Sequence, residues 1–230
     1  MKKTAIVTGA SGNLGTAVIK KFLSENYHVA GTVIPNDPVP VNINENNFEK
    51  KIVDLGDEGA AEKFVQEVIS RQGIIDVAVL TVGGFAMGKV AETGLKEVHK
   101  QFNLNFDTTY NTARPVFLQM IKQGSGRIFM IGSRPGLDST NGKGMVAYSL
   151  AKSLIFRLAE LLNIESKGKN IITSVIVPST IDTLQNRTSM PGSDFEKWVK
   201  PEAIADVIYF YCTPAAIILR EPVIKVYNNA

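Results

Sequence analysis

Two short stretches carry residue types that can do chemistry together. Tyr148-Ser149-Leu150-Ala151-Lys152 sets a phenol and an ammonium at i and i+4, on one face of a helix. A free phenol titrates near about 10, and a neighbouring cation favours its ionised form, so Tyr148 is a usable proton donor or acceptor. Taken alone the pair is weak, because a tyrosine and a lysine often share a helix by chance. The second stretch is Thr8-Gly9-Ala10-Ser11-Gly12-Asn13-Leu14-Gly15. Glycines at 9, 12 and 15 permit a tight turn, close backbone approach to a pyrophosphate, and tight packing of a helix on a strand. N–H groups at the start of the following helix then face the anion. A plain glycine turn is the alternative, but a strand before and a helix after favour dinucleotide binding.

The elements that must position these groups follow from the apolar pattern. Thr4–Thr8, His28–Ile34, Lys51–Leu55, Asp76–Val82, Arg127–Ser133, Ile171–Pro178 and Val223–Tyr227 read as strands. Several are apolar throughout, as expected of strands covered on both faces. Helical patterns lie between them near 14–25, 58–72, 95–123, 145–166 and 201–213. The regular alternation predicts an α/β chain over 1–230: a single domain with a doubly wound, Rossmann-type parallel seven-stranded sheet and helices on both faces. Ligands of such sheets bind at the carboxyl ends of the strands.

With the glycine loop and the Tyr-x-x-x-Lys pair together, the chain resembles the short-chain dehydrogenase/reductase family along nearly its whole length. The resemblance implies a catalytic tetrad of Asn105, Ser133, Tyr148 and Lys152. It implies a nicotinamide dinucleotide held by Gly9, Ser11, Gly12, Asn13, Leu14 and Gly15, with Asp54 and Leu55 at the adenine. Gly83, Tyr148, Lys152, Pro178, Ile181 and Thr183 complete the implied cofactor site, the threonine at the nicotinamide amide. Departures are Asn13 for the usual glycine, Leu80-Thr81-Val82-Gly83 for the usual Asn-Asn-Ala-Gly, and Ser179 after Pro178. The spacing from Ser133 to Tyr148 is also longer than usual, which a surface loop at Asp138–Gly144 can absorb. The end of the second strand, Thr32-Val33-Ile34-Pro35-Asn36, is neither acidic nor basic, and Asp37 beyond it reads equally well as a solvated loop residue. The missing acid gives a slight lean to NADP over NAD.

The stretch from Leu184 to Lys200, with Met190, Phe195 and Trp198, reads as a lid over the nicotinamide end. Phe195 and Trp198 either line a substrate pocket or pack the lid onto the body. This stretch, and Val82-Gly83-Gly84-Phe85, are similar to dihydropteridine reductases. The expected activity is hydride transfer between a nicotinamide cofactor and a carbonyl or alcohol. The alternatives are reduction of a quinonoid pterin and a dinucleotide-sensing protein without turnover.

Composition bounds the rest. A net charge of +3 without a long basic run gives no support to nucleic-acid or membrane-surface binding. A single cysteine, Cys212, excludes an internal disulfide, and with only His28 and His99 no metal site is expected. No apolar run approaches a membrane span, so a cytoplasmic protein acting on a small molecule is expected. The family resemblance further implies a dimer or tetramer built through the helices at 95–123 and 145–166.

Overall fold

Strands that are apolar at every position need a cover on each face, and the computed structural model, which describes residues 2–229, supplies both. The elements in chain order are β1 (Thr4–Thr8), α1 (Asn13–Ser24), β2 (His28–Val33), β3 (Phe48–Ile52), α2 (Glu58–Gln72), β4 (Val77–Leu80) and α3 (Leu95–Phe102). There follow α4 (Thr108–Gln123), β5 (Ser125–Ile131), α5 (Arg134–Leu137), α6 (Val146–Glu165), β6 (Asn170–Pro178), α7 (Leu184–Ser189), α8 (Pro201–Phe210) and β7 (Val223–Val226). The seven strands form one parallel sheet in the order β3-β2-β1-β4-β5-β6-β7. On one face Val18, Ile19 and Phe22 of α1 and Ile204 and Ile208 of α8 pack against Ala5, Val7, Val29 and Val79. On the other, α2, α4 and α6 bring Phe64, Val116, Met120, Ile155 and Phe156 onto Ile6, Ala78, Leu80, Ile128 and Met130.

The chain runs outward from β1 through β2 to β3, then returns to β4 on the opposite side of β1. The loops leaving β1 and β4 therefore part, and their divergence opens a crevice at the carboxyl end of the sheet. Among the described residues no helix is long and apolar enough to cross a membrane.

Several elements differ from the sequence reading, among them β5, which is Ser125–Ile131 and not Arg127–Ser133, and the last helix, which ends at Phe210. The third strand is Phe48–Ile52 and not Lys51–Leu55, because pairing with β2 sets its register, from Val29 opposite Phe48 to Val33 opposite Ile52. The strand stops where Asp54 Oδ1 accepts the Gly56 N–H at 2.9 Å and turns the chain. The fourth strand ends at Leu80, since Thr81 and Val82 bend towards the glycine loop. The helix at 95–123 is interrupted by a π-helical segment, Asn103–Asp107, between α3 and α4.

Phe48 anchors the edge strand by lying over Gly31 of β2, where an added Cβ would stand 2.8 Å from its ring and 3.1 Å from Ala10 Cβ. Gly31→Ala is expected to overpack this contact and destabilise the protein by roughly 1–3 kcal/mol. The midpoint of urea unfolding measures this, and an unchanged midpoint would show that Phe48 is not seated there.

Candidate active site

The glycine loop is shaped by one backbone requirement and one close approach. Gly9 has φ +69°, a left-handed conformation that costs glycine little. At Gly15 a Cβ would stand 2.1 Å from the Gly9 carbonyl oxygen, so only glycine lets α1 come down on the loop. The Gly12 N–H donates to Gly9 O at 3.0 Å, and Thr16 Oγ1 donates to Ala10 O at 2.9 Å. No side chain caps α1, and an uncapped helix start is able to accept an anion.

The departure at Leu80-Thr81-Val82-Gly83 has a structural counterpart. Thr81 Oγ1 donates to Thr8 O at 2.6 Å, while Thr8 Oγ1 accepts the Thr81 N–H at 3.0 Å. This reciprocal brace joins the ends of β1 and β4, next to Gly9.

At the ends of β4 and β5 the other candidate groups converge on Gly83. A Cβ there would lie 2.7 Å from Asn105 Oδ1 and 3.0 Å from Lys152 Nζ. Asn105 is fully buried, and its carboxamide is pinned: Oδ1 accepts the Gly84 N–H at 3.1 Å, and Nδ2 donates to Gly84 O at 3.0 Å. Nδ2 also reaches Gln101 O at 3.2 Å and Gln101 Oε1 at 3.0 Å. By competing for the carbonyl of Gln101, one turn back, the side chain weakens the helical ladder where the π segment begins. Gln101 went unrecognised in the sequence, since a glutamine on a helix gives no sign of the partner it will meet.

Lys152 Nζ donates to Ile131 O at 2.8 Å, and only 4% of the residue is exposed. Burial of its ammonium lowers its pKa from 10.5 to about 8. Ser133 caps α5, its Oγ accepting the Gly136 N–H at 3.2 Å. Gly136 packs on Lys152 so closely that a Cβ would stand 2.7 Å from Lys152 Cβ. Burial raises the pKa of Tyr148, and the Ser133 hydroxyl opposes the rise. The i, i+4 spacing therefore brings Tyr148 and Lys152 to one side of α6, but the ammonium donates to a backbone carbonyl. Phe85 lies edge-on to Tyr148 with ring centres 5.2 Å apart.

Leu55 is buried, and Asn111 of α4 holds its turn by donating to Leu55 O at 3.0 Å. Pro178 ends β6, and Ser179 Oγ donates to Tyr227 O at 2.8 Å. Ile181 bridges to Val199, and Thr183 caps α7 by accepting the Asn186 N–H at 3.1 Å. Asp37 is tied to the glycine loop, its Oδ2 accepting from Ser11 Oγ at 2.5 Å and its Oδ1 from the Val39 N–H at 2.9 Å. Trp198 is 7% exposed and packs at the foot of the 184–200 stretch, with Phe195 against it at 4.8 Å. Burial pushes the Cys212 thiol up to about 12, away from thiolate chemistry. Among the described residues no His, Cys, Asp and Glu side chains group as a metal site.

Comparison with known proteins gives a consistent result. Residues 3–193 match the short chain dehydrogenase family. The acetoacetyl-CoA reductase of an Acinetobacter strain is 27% identical over 184 residues, 77% of this chain and 73% of that one. The dihydropteridine reductase of Dictyostelium discoideum is 28% identical over 218 residues, 93% and 89% of the two chains. Among solved structures, a blue fluorescent protein from a metagenomic library in complex with NADPH aligns with a TM-score of 0.86 at 21% identity. That alignment covers 99% of this chain and 97% of that one, a likeness of fold.

The lowered pKa of Lys152 makes stability depend on pH. In the unfolded chain the amine keeps its ordinary value of 10.5, so between about 8 and 10.5 the unfolded state binds more protons. Stability rises with pH across that window, and below it the buried ammonium exerts its full cost, on the order of 3 kcal/mol. Lys152→Met is expected to be the more stable protein at pH 7, with the difference shrinking towards pH 10. Urea unfolding of both proteins across that range measures it.

Proposed function

This chain belongs to the short-chain dehydrogenase family, and from that premise we propose that Tyr148, Ser133, Lys152 and Asn105 carry out nicotinamide-dependent interconversion of a carbonyl compound and its alcohol. The observation that carries the reading is the meeting of the buried Lys152 ammonium and the pinned Asn105 carboxamide at Gly83, with Tyr148 one turn before Lys152 on α6. The uncapped start of α1, with glycines where backbone must approach closely, fits a dinucleotide diphosphate. When bound, the nicotinamide supplies the hydride, which no side chain can provide. In the direction of reduction, the Ser133 hydroxyl polarises the substrate oxygen, and Tyr148 gives it a proton as charge develops. The Lys152 ammonium stabilises the phenolate that remains, and Asn105, through Gly84, holds the loop that walls the site. A sensor needs none of this acid/base machinery, and retention of Ser133 favours carbonyl chemistry over a pterin reductase.

For the choice of dinucleotide, the neutral end of β2 leans towards NADP, but Asp37 turns that lean round. Its carboxylate stands at Ser11, about 20 residues beyond the glycine loop, where an acidic side chain takes the ribose 2′-hydroxyl and repels a 2′-phosphate. NADH is therefore the form proposed. The 184–200 stretch is read as the lid of a single catalytic domain, standing on Trp198 and the Ile181–Val199 bridge. Exposed Leu118 of α4 and Leu150, Leu161 and Ile164 of α6 support assembly of like subunits through these helices. Cytoplasmic residence is part of the same proposal, in keeping with a single thiol.

Two measurements test the proposal. Tyr148→Phe keeps the ring and is expected to lower kcat by roughly 10²–10⁴ on a panel of carbonyl substrates, with cofactor affinity little changed. Near-full activity in this variant would overturn the tyrosine mechanism. In calorimetric titrations the wild type is expected to bind NADH roughly tenfold tighter than NADPH, a difference of about 1.4 kcal/mol, and Asp37→Asn to narrow that gap. A wild-type preference for NADPH would return the choice to the other dinucleotide.

A further inference from the structure

A cavity of about 600 Å³ lies between α1 and the α7–α8 region. Ser11, Asn13 and Thr16 form part of one wall, and Thr183 and Arg187 part of the other. The cavity thus joins the uncapped start of α1 to the lid, and the lid presents a cation to it.

Arg187 is held in a definite orientation. Its Nε donates to Asp182 Oδ1 at 2.6 Å and its Nη2 to Asp182 Oδ2 at 2.7 Å, a side-on bidentate pair. The Phe195 ring supports the guanidinium, with the Cζ atom 4.9 Å from the ring centre. Asp182 is itself fixed by the backbone: its N–H donates to Val199 O at 2.8 Å, and Val199 N–H donates to Thr180 O at 2.9 Å. The guanidinium is therefore referenced to the end of β6 and not to the tip of the lid. A guanidinium has five N–H donors, of which this pair uses two, leaving both on Nη1 and one on Nη2. A planar fork with a free edge suits phosphate oxygens, and the pair with Asp182 leaves that edge available.

We propose that Arg187 binds the diphosphate of the dinucleotide from the lid side, opposite the N–H groups of α1, with Asp182 as its positioning residue. The proposal rests on the dinucleotide reading above. The diphosphate then lies between two donor walls, one built into the sheet and one carried by the lid.

Calorimetric titration of wild type, Arg187→Gln and Asp182→Asn with NADH, ADP-ribose and adenosine tests the proposal, with unfolding midpoints as a check on folding. Arg187→Gln is expected to weaken NADH and ADP-ribose by roughly 10–100-fold and to leave adenosine within about twofold, since adenosine has no diphosphate. Asp182→Asn is expected to weaken the same two ligands by a smaller factor, because the guanidinium is kept but loses its brace. Equal binding of ADP-ribose by wild type and Arg187→Gln would overturn the proposal. So would an equal loss for adenosine, which marks collapse of the lid. Tighter ADP-ribose binding by Asp182→Asn would overturn the positioning role. A wild type that binds neither NADH nor NADPH would remove the dinucleotide reading and this inference with it.

Discussion

An ammonium buried without a carboxylate sets the terms for the rest of the site. Lys152 is 4% exposed, its hydrogen bond goes to the Ile131 carbonyl, and among the described residues no ion pair relieves it. Such a group is costly, and its lowered pKa expresses that cost. The neighbours are arranged around the expense. Gly136 lets α5 press against the lysine backbone, and Gly83 makes room for its amine. Ser133 and Ile131 are thereby brought to fixed places at the end of β5. A cation kept in a dry place acts strongly on any charge that later appears beside it.

Asn105 serves the same place from the other side. Its carboxamide makes a reciprocal pair with the backbone of Gly84 and adds Gln101, so the loop after β4 and the long helical stretch become one body. The π segment is the local cost of that connection, and the loss of regular helix there is small beside a buried amide left unpaired. The Thr8–Thr81 brace does for β1 and β4 what Asn105 does for β4 and the helix. Together they tie the glycine loop to the groups gathered around Gly83.

The 184–200 stretch is built differently. Its feet, at Ile181–Val199 and at Trp198, are buried or bridged, whereas α7 is short and its outer residues are exposed. A short helix with few buried contacts opens at little cost. Asp182, Arg187 and Phe195 give this light element one well-oriented group.

The sequence alone determined what depends on local pattern. Uniformly apolar runs gave the parallel sheet, three glycines gave the tight turn between β1 and α1, and the spacing of Tyr148 and Lys152 put them on one helix side, because each is a property of a few consecutive residues. Residues of the family's tetrad were legible only once these local signals stood together. The order of strands decided the rest. Gly83, Asn105 and Lys152 come from three separate segments, and they meet because β4 and β5 lie side by side with α4 and α6 packed on one face. Asp37 reads as a loop residue until folding brings it to Ser11, and Arg187 reads as one charge among many until Asp182 orients it. Pairing with β2 likewise moved the third strand from 51–55 to 48–52, since a strand's register is fixed by its neighbour and by what its side chains cover. Periodicity is written along the chain, but a distance between two segments exists only after both have packed.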